Sequence, residues 1–269
     1  MKGRRQAILA VVLTGAIPPV YFISPVIVGL VVLRKGLQEA FLILIWALLA
    51  LGLWTVYPSI AMEQPVNLLP FLLVLAVTGL AVALRVSQSW QVTLLVSVAV
   101  GLGFEIYLRI QPAAVDTLLG QLAPLFEQNN LEPLVRGELI ALIATIQTAM
   151  AVLLLIWARW LQAMLYNPGG FREEFHGLRI EARAALPLAL LLLLSGLGVG
   201  VPEPWYGYFA LPFLFAGTAL VHGTIALRQL SPLWLVAFYV VIPVIAQLLV
   251  LLALFDSWYD FRKQMRKTS

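Results

Sequence analysis

The chain has 269 residues, of which 62% are hydrophobic and 11% charged, with a formal net charge of +4. That apolar share lies far above the roughly 45–50% of soluble domains and is arranged in blocks near the ~20 residues that cross a hydrocarbon core, which excludes an ordinary soluble globular fold. The absence of cysteine excludes disulfides, thiolate metal sites and a cysteine nucleophile.

MKGRRQAILAVVLTGA, residues 1–16, has the basic start and short apolar run of a signal peptide. The bulky IPPVYFISP that follows offers no small-x-small cleavage site, so a retained first span is expected. The first apolar block, 6–33, carries Pro18, Pro19 and Pro25. Adjacent prolines remove backbone donors and clash with the preceding turn, which predicts either a kinked helix or two half-length segments turning near Ile17–Ser24. Further apolar blocks follow at 36–57, 67–84, 88–108, 138–162, 184–201, 206–227 and 232–256. A backbone inside lipid must satisfy its own hydrogen bonds, so these blocks are predicted helices. The expected fold is all-α: a polytopic transmembrane helical bundle of about eight spans with a proline-broken first block, forming one membrane-embedded domain over 1–269.

Two stretches are not spans. Residues 111–136 place Leu118, Leu119, Leu122, Leu125 and Phe126 at helical spacing, with Asp116, Glu127 and Glu132 off that stripe and Pro124 interrupting it. This predicts an amphipathic interfacial segment. Residues 167–183, NPGGFREEFHGLRIEAR, begin with turn chemistry and then set Phe171, Phe175 and Leu178 along one edge of a short helix. An amphipathic cytoplasmic connector is expected, its aromatics in the lipid boundary and its charges in water.

Lysine and arginine counts set the orientation. With a broken hairpin first, Lys2, Arg4, Arg5, Arg34, Lys35, Arg85, Arg159, Arg172, Arg179, Arg183 and Arg228 lie inside, and Arg109, Arg136 and the basic tail lie outside. With one full first span, Arg34, Lys35 and the charged strip move outside, and Arg262, Lys263, Arg266 and Lys267 come in. Neither arrangement satisfies every loop. The strip is placed in the cytoplasm and the C-terminus is left open.

Polar groups within or beside spans are the candidate ligand contacts. Glu39 starts a span, where a carboxylate also suits the helix dipole. Glu105 and Arg109 are ordered for an i, i+4 ion pair. Gln147, between Thr145 and Thr148, serves as interhelical glue or lines a cavity. Trp205 and Tyr206, behind Pro202 and Pro204, form an interfacial anchor or an aromatic lid. His222 neighbours Thr218 and Thr224. Phe171, Arg172, Phe175, Arg179 and Arg183 are the candidate partner-docking residues.

Glu173-x-x-His176 matches half of a di-iron element, but such sites need two copies and more carboxylates. Hydrolase and zinc-protease motifs are missing. The glycines at 196, 198 and 200 lack the Lys-Ser/Thr of a phosphate loop. No catalytic residues, metal or cofactor are expected, nor nucleic acid as a partner, because no basic run is interleaved with a stacking platform.

The proline-broken first block with PVIVGLVVLRKG (25–36), together with NPGGFREEFHGLRI (167–180), resembles the YybS-like family of uncharacterised bacterial polytopic membrane proteins. That resemblance implies a multi-pass protein of the bacterial inner (cytoplasmic) membrane and no particular reaction. The short early helices are more remotely similar to the substrate-capture subunits of energy-coupling-factor transporters, which dock through Ala-x-x-x-Ala. Here the matching small pair is Ala10 and Thr14, a departure that weakens the docking inference.

The expected function is capture of a small molecule in a helical-bundle cavity, as a transporter or its substrate-capture subunit. The alternative is a membrane interaction or scaffold protein whose 167–183 strip docks a cytoplasmic or membrane partner.

Overall fold

The computed structural model describes residues 3–61, 66–129, 132 and 135–268. Parts of the predicted 111–136 segment (130, 131, 133 and 134), Lys2, and the side chains of Arg266 and Lys267 lie outside that description. The described residues form helices α1 Arg4–Gly15, α2 Ile23–Lys35, α3 Leu37–Ala61, α4 Leu69–Ser87, α5 Trp90–Arg109, α6 Pro112–Gln128, α7 Arg136–Tyr166, α8 Gly170–Gly177, α9 Ala182–Gly196, α10 Tyr206–Leu227, α11 Leu233–Tyr259 and α12 Phe261–Thr268. They divide into two compact units, one of residues 1–88 and 99–166, the other of 89–98 and 167–269.

Among the described residues, six segments are long and apolar enough to cross a membrane: α3, α4, α5, α7, Glu203–Leu227 and α11. The protein is therefore a multi-pass, all-helical membrane protein, with six such helices where the sequence blocks suggest about eight. Two blocks account for the difference. Block 6–33 breaks at a 3-10 turn over Pro18–Val20, because Ile17 is held extended before proline and two successive residues lack an N–H. The helices on either side have 12 and 13 residues, or about 18–20 Å at 1.5 Å per residue, well short of a ~30 Å core. Block 184–201 stops after 15 helical residues. There Gly198 (φ +64°) and Gly200 (φ +71°) take up backbone that only glycine adopts freely.

In the first unit, α1 and α2 fold back on each other, and the Ser24 hydroxyl donates to the Val11 carbonyl at 3.4 Å. A Cβ on Gly15 would lie 3.1 Å from Ala50, and one on Gly29 would lie 3.2 Å from Val77. These small residues let the half-length helices pack closely against the long ones. Val26, Val28 and Val32 of α2 are fully buried. Gly36 (φ +93°) ends α2, and the Arg85 guanidinium donates to the freed Leu33 carbonyl at 2.6 Å. The chain thus returns to where it began: Arg4 at the start of α1 meets Glu39 at the start of α3 at 2.8 Å. Arg34 at the end of α2 meets Tyr166 at the end of α7. At the unit's other end, the Leu68 amide donates to the Tyr107 hydroxyl at 2.9 Å, and Asp116 pairs with Arg136.

α6 realises the amphipathic segment as a helix, but Pro124 does not interrupt it. The carbonyl that loses its donor belongs to Gly120, which is exposed and open to water.

In the second unit the charged strip leaves Arg172 and Arg183 exposed but buries its apolar edge. Phe175, Leu178 and Ile180 are buried, so these side chains face the unit's interior rather than the lipid boundary. Gly217 and Gly223 let α10 come close to its neighbours. A Cβ there would lie 2.5 Å from the Leu249 carbonyl oxygen and 3.1 Å from that of His176. The basic tail is also brought to the strip. Arg262 donates to the Leu178 carbonyl at 2.9 Å, so tail and strip share one end of the unit. The broken-hairpin arrangement of the sequence had put them on opposite sides, because it counted block 184–201 as a full span.

Candidate functional site

The first unit carries a cavity of about 370 Å³ where α1, α2, α3 and the end of α7 meet. Its ionic rim is Arg4, Arg34, Lys35 and Glu39, and Tyr166 closes one side. Three cations against one carboxylate leave a charge of +2 at the mouth. The walls behind are apolar, with Leu30 and Val31 half-buried, Ile43 buried and Leu165 exposed. Every rim residue is placed by a helix end. Arg4 and Glu39 lie in the first turns of α1 and α3, Arg34 and Lys35 in the last turn of α2, and Tyr166 is the final residue of α7.

The rim is loosely held. Arg4 and Glu39 are each about half exposed, so water competes for both and the pair can exchange partners at little cost. The Arg34 guanidinium carbon lies 4.1 Å from the Tyr166 ring centroid and its Nη1 donates to the Tyr166 hydroxyl, an arrangement that orients the flat guanidinium while its other N–H groups can still donate. This chemistry suits an anion with several acceptor oxygens. Of the sequence-predicted ligand residues only Glu39 is here. In the sequence Arg4, Arg34 and Lys35 are loop charges that orient the chain, and Tyr166 carries no local signal. The signal that would have found them is Pro18-Pro19, which folds residue 4 back beside residue 35.

The other candidates lie elsewhere. Glu105 is 2% exposed and accepts from Arg109 through both Nε (2.8 Å) and Nη2 (2.6 Å). The pair sits at the end of α5, towards the Tyr107–Leu68 contact and away from the cavity. Gln147 is half-buried within α7, about 28 Å along that helix from Tyr166 at 1.5 Å per residue.

In the second unit, Trp205 and Tyr206 mark the turn from α9 into α10. The Ser195 hydroxyl donates to the Pro202 carbonyl at 2.7 Å there, and the buried Trp205 indole N–H has no partner among the described residues. His222 lies 16 residues after Tyr206 on α10, about 24 Å away. It faces the strip. Its ring packs edge-on to Phe175 at 5.3 Å and lies 6.4 Å from His176, and its Nε2 is 2.8 Å from the Tyr239 hydroxyl. The chain's two histidines, distant in sequence, are neighbours in the fold. Trp205 and Tyr206 therefore share no pocket with His222, nor Glu39 with Glu105 and Arg109.

Among the docking candidates, Phe171 stacks on Phe175 at 5.6 Å and meets Trp90 edge-on. Arg179 spends its guanidinium internally, donating to the Asp256 carbonyl (2.9 Å), the Ser257 carbonyl (2.8 Å) and the Asp260 carboxylate (2.9 Å). Arg262 meets Asp256 at 3.3 Å with both side chains buried, and Asp256 also accepts from the Phe261 amide at 2.9 Å. Arg172 and Arg183 remain exposed. A mixed-charge cavity of about 420 Å³ borders this junction, but Arg179 and Arg262 already serve the fold.

Comparison of the chain with family models, with curated proteins and with solved structures finds no match.

Proposed function

We propose that this multi-pass membrane protein captures a small molecule in the cavity at the basic end of its first unit, and that this capture serves transport. The observation that carries the reading is the rim of Arg4, Arg34, Lys35, Glu39 and Tyr166 around a 370 Å³ space that four helices converge to form. Cavities between packed helices, mostly apolar with a few convergent polar groups, are where small ligands bind. The positive-inside tendency puts this end in the cytoplasm. It holds Arg4, Arg5, Arg34, Lys35 and Arg85, against Arg109 and Arg136 at the other end. Membership of the YybS-like family, and with it the bacterial inner membrane, remains part of this proposal, supported by the proline-broken first block and the FREEFHGLR strip at 171–179.

The test is native mass spectrometry of the full-length protein extracted gently with its lipids. One stoichiometric small-molecule mass is expected, lost in Tyr166→Ala. A protein carrying no bound mass, or one that keeps it in a folded Tyr166→Ala variant, overturns the reading.

A second reading rests on the exposure of Arg172 and Arg183: the strip docks a partner through these two positions. Neutralising both should then remove a co-purifying protein, and retention of every partner would sink it.

A further inference from the structure

Taking the first-unit cavity as the binding site, we infer that it holds the phosphate group of an anionic amphiphile, with phosphate oxygens between Arg4, Arg34 and Lys35 and the hydrocarbon portion along Leu30, Val31 and Ile43.

Three observations converge. The rim carries +2 with two guanidiniums; a guanidinium fork matches phosphate and carboxylate oxygens alike, but a phosphate has further oxygens with which to reach the second guanidinium and Lys35, where a carboxylate has only two. Arg34 is held by the Tyr166 ring and hydroxyl, an exposed neutral partner, so an incoming dianion or phosphodiester gains contacts without breaking a buried ion pair. The apolar side chains begin directly beneath those charges, on helices that enter the membrane: Leu30 and Val31 one turn before Arg34, and Ile43 one turn after Glu39. A soluble phosphate would leave this partly exposed apolar wall wet. A lipid-borne phosphate covers it, and basic recesses between membrane helices are recognised sites for anionic headgroups. The net positive rim also disfavours the cationic headgroup of a zwitterionic lipid.

Glu39 has a specific place in this arrangement. It holds Arg4 over the cavity at 2.8 Å and releases it as phosphate oxygens replace the carboxylate.

The experiment uses the full chain in nanodiscs of phosphatidylcholine with a minor fraction of phosphatidylglycerol, ejected intact into a mass spectrometer to count retained lipids. Wild type should retain one phosphatidylglycerol in preference to phosphatidylcholine. Arg34→Gln with Lys35→Gln should lower that preference about tenfold or more, since each basic group near a lipid surface contributes about fivefold and the two multiply. Lys35→Gln alone is the companion variant should the double change fail to fold.

Retention of both lipids without preference in wild type, or an unchanged preference in the folded variants, overturns the proposal. Added inorganic phosphate separates the sources. Phosphatidylglycerol that stays bound at millimolar phosphate identifies the lipid as the ligand. Displacement upholds the phosphate site and assigns it to a soluble phosphate. A stoichiometric mass without phosphorus, lost in Tyr166→Ala, would defeat this inference and leave the cavity as the binding site. No bound mass at all would defeat both.

Discussion

Arg4 and Glu39 meet at 2.8 Å with about half of each side chain in solvent, whereas Arg262 and Asp256 meet at 3.3 Å with 8% and 3% exposed. Both pairs join an arginine to a carboxylate, for opposite ends. The half-exposed pair is screened, replaceable and set on a cavity rim, which leaves its arginine available to another anion. The buried pair has lost its water, and each partner depends on the other and on the Leu178 carbonyl and Phe261 amide around it. Charge identity therefore does not distinguish a site from a clamp. Desolvation does.

The sharpest way to break this contrast is to remove one half of the buried pair. Arg262→Ala should cost about 3–5 kcal/mol of stability, because Asp256 is left charged and buried; denaturant unfolding in detergent measures it, and a loss near zero would erase the distinction. Arg109→Ala asks whether burial or location matters. Glu105 is equally buried but lies in the first unit, and its arginine is half exposed. A cost of about 2–3 kcal/mol is expected, smaller because water reaches the arginine side.

Arg4→Gln should leave the melting temperature where it is and weaken only ligand retention, and added salt should mimic it. A large thermal loss in this variant would mean the cavity rim is structural after all.

The smallest effect concerns pH. Burial, and then the Arg172 and Arg262 charges, hold His176 below its ordinary value, so the folded protein binds fewer protons here than the unfolded chain. The stabilising contribution is complete above the ordinary pKa of ~6.5 and is lost as pH falls through the depressed folded value. Thermal melts from pH 8 downwards should show this decline in wild type, and His176→Gln should flatten it. A variant that melts with the same slope would assign the decline to other groups.

How far the fold could be read varies with the kind of signal. Pro18-Pro19 announced the break in block 6–33, and the structure places a 3-10 turn at that point. Amphipathic spacing announced α6, although Pro124 turned out to be tolerated on an exposed face. The Glu105–Arg109 contact followed from i, i+4 geometry alone. The 15-residue length of α9 was less legible, since Leu197, Val199 and Val201 continue the hydropathy past the point where Gly198 and Gly200 turn the backbone. Nothing local in FREEFHGLR distinguishes a surface connector from a segment whose Phe175 faces His222 and whose Arg179 ties down the end of α11.

What the sequence determined by itself is the solvent and the local geometry: a lipid-embedded, all-helical chain, its break at Pro18-Pro19, and the pair Glu105–Arg109 one helical turn apart. Those properties depend on composition and on residues within about four positions of each other. Only the tertiary structure decided which charges are spent and which are available. Arg4 meets Glu39 across 35 positions, Arg34 meets Tyr166 across 132, and Arg179 meets Asp260 across 81. Such meetings depend on which helix ends share one face of the packed helices, and on how much water that packing removes from each ion.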